Sequence, residues 1–216
     1  HYPLRRQRQM CIRDRLNTFR DSVFLETHGF TPKTALAMYL PNSYEVFWNT
    51  TPEKFRNRML KEYKRFWNSQ RLEQVERIGL TPEEVISLAA IVQKETVQVE
   101  ERTKIAGVYL NRLRKRMRLE ADPTVIYALK EKHQNFDTII RRVLRKDLKI
   151  KSPYNTYKNK GVPPGPITMP DINAIDAVLQ ADSHKYLYFV ANPKQQGYHT
   201  FATTYIPVSY THLRAH

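Results

Sequence analysis

Apolar residues recur at helical spacing along most of the chain and give way to β-branched and aromatic runs only near its end. LNTFRDSVFLETHGF (16–30) and TPKTALAMYLPNSYEVFWNTTPEKFRNRMLKEYKRFWNSQRLEQVERIGL (31–80) read as helical pieces divided by turn signals at His28-Gly29, Pro41-Asn42 and Asn49-Thr50. In the second, Thr51-Pro52-Glu53 starts a helix with Phe55, Met59, Tyr63 and Phe66 on one face. Lys and Arg populate its other, solvated face. Thr81-Pro82-Glu83-Glu84 is a stronger start. The threonine accepts from free amides, proline suits the first turn, and the glutamate three residues on completes a capping box.

This helix should run to about Glu95. At about 100° per residue, Glu95 falls within about 40° of Leu88 and Ile91, so a carboxylate ends the buried stripe, while Lys94 lies opposite Val85. ERTKIAGVYLNRLRKRM (101–117) forms a second helix, with Ala106, Tyr109, Leu110 and Leu113 on the face that packs against the first. In LEADPTVIYAL (119–129), Asp122 before Pro123 is a natural cap for a helix carrying Val125, Ile126 and Leu129. The Pro, Gly, Asn and Ser of DLKIKSPYNTYKNKGVPPGPITMP (147–170) exclude a long regular element and predict an ordered loop able to line a cleft. Pro170-Asp171 begins another helix with Ile172, Ile175, Val178 and Leu179 facing in. KYLYFVAN (185–192) and YHTFATTY (198–205), joined by PKQQG, make a hairpin. The predicted class is α+β: a helical core, a C-terminal antiparallel hairpin and a long Pro/Gly-rich loop beside a cleft.

Composition changes the picture in two places. The formal charge is +15, which suggests an anionic partner, but residues 1–15 and 207–216 contribute to it and leave +10 for the body. Neither end is periodic, and both resemble translated sequencing-adaptor read-through, so they are expected to be a non-native leader and tail around one domain over 16–206. Native basic tails are the alternative. The only cysteine, Cys11, lies in that leader, so the body has no thiol for a disulfide, a metal site or covalent catalysis. No metal-ligand pattern and no Gly-rich phosphate loop emerges, and no cofactor is expected.

Glu95 is the leading chemical candidate. Burial, the negative end of its helix and apolar neighbours all disfavour its ionised form, which would leave an acid still protonated near neutrality. A salt bridge to Arg102 or Lys104, or simple capping beside Thr96, is the structural alternative. Asp122 invites reading as a second carboxylate, though capping suits it better. Thr124, Tyr154, Asn155 and Tyr157 have the chemistry to bond or stack on a sugar, or to stabilise a turn. His199 alternates with Phe201 and Thr203 on one face of the last strand, opposite Thr200, Ala202 and Thr204.

The segments LTPEEVISLAAIVQKETVQVEERTKIAGVYLNRLRKRMRLEADPTVIYAL, SPYNTYKNKGVPPGPI, YLYFVAN and YHTFATT resemble, in order and spacing, the endolytic murein transglycosylase (YceG-like) family; the flank YLPNSYEVFWNTTPEKF is similar to it too. The resemblance implies a cell-wall lyase that cuts nascent peptidoglycan strands between N-acetylmuramic acid and N-acetylglucosamine and leaves 1,6-anhydro ends. It implies no cofactor. The family's E-K-E-T motif reads Gln93-Lys94-Glu95-Thr96 here, so the catalytic position maps to Glu95, with Gln replacing the first Glu. By resemblance the segment of Thr124, Tyr154, Asn155 and Tyr157 lines a glycan groove; Asp122, beside the site, and His199, Phe201 and Thr203 are further substrate-binding candidates, although a lone strand histidine is more often structural. Peptidoglycan synthases are implied as partners, at the outer face of a bacterial inner membrane. An anchor helix, a LysM-like region and a terminal helix would lie outside this fragment. Two rival readings remain: a basic nucleic-acid-binding module, motivated by NRLRKRMR and IIRRVLRKDLKIK, and a peptidoglycan-binding domain without catalysis.

Overall fold

A computed structural model of the chain describes residues 16–205. The leader and tail expected at 1–15 and 207–216 lie outside the described residues. In chain order the helices are α1 (Ser22–Thr27), α2 (Pro52–Phe66), α3 (Ser69–Ile78), α4 (Pro82–Glu95), α5 (Arg102–Arg114), α6 (Asp122–His133) and α7 (Ile172–Leu179). The strands β1 (Tyr188–Ala191) and β2 (His199–Ala202) follow. Short 3-10 turns occupy Ala35–Met38, Val99–Glu101 and Asp147–Lys149. The class is α+β, as the periodicity implied.

α4 is the centre of the molecule. Its capping box is present: Thr81 Oγ1 accepts from the Glu84 amide at 3.3 Å, and the Glu84 carboxylate accepts from the Thr81 amide at 2.9 Å. The expected stripe is wider than one face, because every residue from Val85 to Val92 is buried. A helix apolar all round has to be enclosed, and α3, α5, α6 and α7 pack against α4. α5 carries Ala106, Tyr109 and Leu110 into the same core, with Leu113 at its margin.

The helical pieces of 31–80 differ from the periodicity in two respects. Asn68 accepts from the Arg71 amide at 3.0 Å and starts a separate helix, α3, which ends at Gly79 in a left-handed conformation (φ 72°) that suits glycine. Arg56, expected on the solvated face of α2, is buried. It lies 3.6 Å from the Phe24 ring centroid and pairs with Asp21 at 3.0 Å.

Asp122 does not cap its helix. Ala121 is the N-cap of α6 and Asp122 the first helical residue, its carboxylate accepting from Tyr157; the Ala121 amide donates to Thr156 Oγ1 at 2.9 Å. That bond belongs to a buried polar network that fixes the long loop. Thr124 Oγ1 donates to the Ala121 carbonyl at 2.7 Å and lies 2.8 Å from Thr156 Oγ1, while the Asn155 amide group donates to the Leu148 and Ile150 carbonyls at 3.0 and 2.8 Å. With these groups satisfied, a small second core forms from Val125, Ala128, Ile150 and Tyr154. The loop also rests on the N-terminal segment at Gly165, where a Cβ would stand 2.0 Å from the Lys33 carbonyl oxygen, so only glycine fits.

The hairpin forms as expected, with Tyr188 opposite Ala202, Phe189 opposite Phe201 and Ala191 opposite His199 in antiparallel register. It packs on α5.

Candidate active site

Glu95 is the last residue of α4. Thr96 leaves the helix in an extended conformation (φ −135°, ψ 140°) and turns the chain by accepting from the Gln98 amide at 3.0 Å. The Glu95 carboxyl is half-buried. Tyr109, buried in α5, donates its hydroxyl to Glu95 Oε1 at 2.8 Å. Removal from water dominates the carboxyl's proton affinity and pushes its pKa up to about 7. The charge of Asp122 acts in the same direction, while the Tyr109 bond and the Arg112 guanidinium oppose it. Burial and the neighbouring Glu95 charge hold the Tyr109 hydroxyl well above its ordinary pKa, so this side chain acts as a donor.

A second carboxylate and tyrosine face the same space. Tyr157 donates to Asp122 Oδ1 at 2.6 Å, and its pKa is raised by burial first, then by that bond and by the charges of Asp122, Glu95 and Glu120. Asp122 is exposed, in contrast to Glu95. Arg112, 7% exposed, ties the site to the hairpin: its guanidinium donates to the Leu187 and Leu119 carbonyls at 2.7 Å each and approaches Glu120 at 3.4 Å. It belongs to the run NRLRKRMR, and its enclosure removes it from the cations that a nucleic-acid surface would use.

His199 is paired rather than free. Glu101 accepts from its backbone amide at 3.0 Å and lies 2.8 Å from its Nδ1, which fastens β2 to the turn before α5. Ring contacts connect it to the site: Tyr109 and Phe189 centroids are 5.8 Å apart, Phe189 and His199 5.2 Å. Phe201 packs on Phe189 and carries the Lys104 ammonium 4.7 Å from its ring centroid. Thr203 is exposed beyond the end of β2.

The structure thus gathers Glu95, Asp122 and Tyr157 around one space and stations His199 and Phe201 behind Tyr109 and Phe189. Thr124, Tyr154 and Asn155 are 0%, 2% and 0% exposed, and present no surface to a ligand; they hold the loop that carries Tyr157. Tyr109, Arg112 and Glu101 were not among the candidates. Tyr109 occupies a core position by periodicity, and its hydroxyl was the available signal, because a buried tyrosine oxygen needs a partner. The Gln93 of Gln93-Lys94-Glu95-Thr96 accepts from the Asp171 amide at 2.6 Å and donates to the Asp171 carboxylate at 3.1 Å, anchoring α7 away from the carboxyl of Glu95. Among the described residues there is no group of three or more His, Cys, Asp or Glu placed to hold a metal ion.

Fold and site define a mostly helical α+β protein whose central helix ends in a half-buried glutamate of raised pKa, bonded to a buried tyrosine. The sequence model of the YceG-like family matches residues 5–209, and the chain belongs to that family. It is 37% identical over 156 residues to the endolytic murein transglycosylase of Bacillus subtilis (strain 168), covering 72% of this chain and 41% of that protein. It is 34% identical over 156 residues to the protein of the same name from Streptococcus pneumoniae (strain D39), covering 70% and 27%. It therefore spans less than half the length of these relatives. The crystal structure of a YceG-like protein from Listeria monocytogenes superposes with a TM-score of 0.70 at 29% identity, covering 91% of this chain and 66% of that one.

Proposed function

We infer that this chain carries the catalytic region of an endolytic murein transglycosylase, acting on nascent peptidoglycan in the bacterial envelope beside the synthases that make it. The observation that carries the reading is the Glu95 carboxyl, half-buried, bonded to Tyr109 and with its pKa up to about 7. Such a group gives up a proton near neutrality and takes one back.

Glu95 protonates the oxygen between N-acetylmuramic acid and N-acetylglucosamine as the C1–O bond breaks. The muramyl 6-hydroxyl then attacks C1 and gives its proton to the Glu95 carboxylate, which closes the 1,6-anhydro ring and restores the acid. Because the nucleophile belongs to the substrate, no water has to be activated and a second catalytic carboxylate is dispensable. Tyr109 orients Glu95 through Oε1, which leaves Oε2 for the substrate. Tyr157 and Asp122 form the opposite side of the groove.

Mass spectrometry of digested peptidoglycan tests the proposal. The wild-type chain should release 1,6-anhydro muropeptides and Glu95→Gln should not. Anhydro ends from the purified variant, or reducing ends from the wild type, would overturn it.

A further inference from the structure

A groove of about 320 Å³ is lined by residues from the end of α4, from α6 and from the loop at Ile167. Its lining is mostly apolar, with Pro123, Ile126, Tyr127, Phe136 and Ile167 beside Thr168 and the two lysines Lys94 and Lys130. No carboxylate lines it, and neither lysine forms an ion pair among the described residues; Lys130 Nζ donates only to the Phe136 carbonyl, at 2.9 Å. Lys94 and Pro123 adjoin Glu95 and Asp122 in the chain, so two of the groove's lining residues are immediate neighbours of the site's carboxylates. Its volume lies at the lower end of the range for small-ligand sites.

We propose that this groove binds the anionic peptide stem of the glycan strand, its side chains lying on Pro123, Ile126, Tyr127 and Ile167 and its carboxylates meeting Lys94 and Lys130. The inference rests on the proposed glycan substrate. Murein strands carry short peptides on the lactyl ether of the muramic acid, the sugar whose C1 would face Glu95. A stem leaving that sugar needs a channel next to the acid, and a channel with a mostly apolar lining and two cations is complementary to a short peptide rich in carboxylates. An uncharged sugar would gain nothing from the two ammonium groups. Occupation of the groove would register the muramyl residue on Glu95 and favour peptide-bearing strands over denuded ones.

The test combines a binding measurement with a turnover measurement on the full chain. A soluble muramyl peptide is titrated against wild type and Lys94→Gln/Lys130→Gln by NMR, with the same peptide amidated at its carboxylates as the comparison. Saturable shifts at Ile126 and Tyr127 are expected, weakened about 10-fold in the double variant and by amidation, from two partly exposed charge contacts of about 0.7 kcal/mol each. The wild type should also cut peptide-bearing strands faster than amidase-stripped ones, and the double variant should lower that ratio. Absence of saturable binding, equal binding of the amidated peptide, or an unchanged ratio in the variant would overturn the proposal. Binding is read without turnover, so an inactive chain that still binds the stem refutes the transglycosylase reading and leaves the groove assignment intact.

Discussion

Two neighbouring carboxylates each accept a tyrosine hydroxyl, Glu95 from Tyr109 at 2.8 Å and Asp122 from Tyr157 at 2.6 Å. The bonds are alike and the surroundings are not. Glu95 ends a helix enclosed on all sides, whereas Asp122 begins one whose N-terminal residue is exposed. A tyrosine hydrogen bond therefore does not raise a carboxyl's pKa. Loss of water around the carboxyl does, and the bond tempers that loss and sets the orientation.

The largest expected effect separates the two directly. Glu95→Gln should lower kcat/KM on peptidoglycan strands by about 1000-fold, within the span of general acid–base catalysis, whereas Asp122→Asn should stay within about 2-fold. Equal losses would dissolve the contrast. Stability should then distinguish enclosure from mere proximity. Between the ordinary carboxyl value of 4.5 and about 7, folded Glu95 keeps a proton that the unfolded chain releases, so wild-type stability falls as pH rises through that window. Glu95→Gln lacks this loss and should be more stable than wild type by up to about 3 kcal/mol at pH 8, with no such advantage at pH 4, as read by urea unfolding.

In the loop network, Thr124→Val should cost about 2 kcal/mol, because it removes the buried bonds of Thr124 Oγ1 to the Ala121 carbonyl and the Thr156 hydroxyl; unfolding midpoints measure this. Tyr109→Phe should lower kcat/KM by about 5-fold and move the alkaline limb of the pH–rate profile to higher pH, since the lost bond favoured the ionised carboxyl. Asp122→Asn can still accept from Tyr157 but removes a charge that raises the Glu95 pKa. Its effect on rate is the smallest of the set, and its limb should move to lower pH. Limbs shifting the same way in both variants would contradict the assigned causes.

What the sequence made legible is local in origin. The Thr81/Glu84 capping box, the helix end at Glu95 and the existence of the hairpin depend on neighbours within a few residues, and local pattern carries them. The apolar face beneath Glu95 also points to a raised pKa from local sequence. The rest depends on partners distant in sequence. Asp122 looked like a cap, but it is already inside the helix and its carboxylate accepts from Tyr157, thirty-five residues on. Tyr154 and Asn155 read as surface loop chemistry, but their side chains turn inward to satisfy buried carbonyls and fill a second core. Arg56 and Arg112 looked like solvated cations because charge is visible in a sequence and the pocket that receives it is not.

The near-contact of Gly165 with the Lys33 carbonyl has a bearing on how the cleft is assembled. The strap that presents Tyr157 leans on a stretch of chain more than one hundred residues earlier, so it can seat only after that stretch has been laid down. A fragment trimmed to begin at α2 would keep Glu95 and its helix yet lose the backing of the opposing rim, and a side chain introduced at position 165 would prise the two apart without touching either carboxylate.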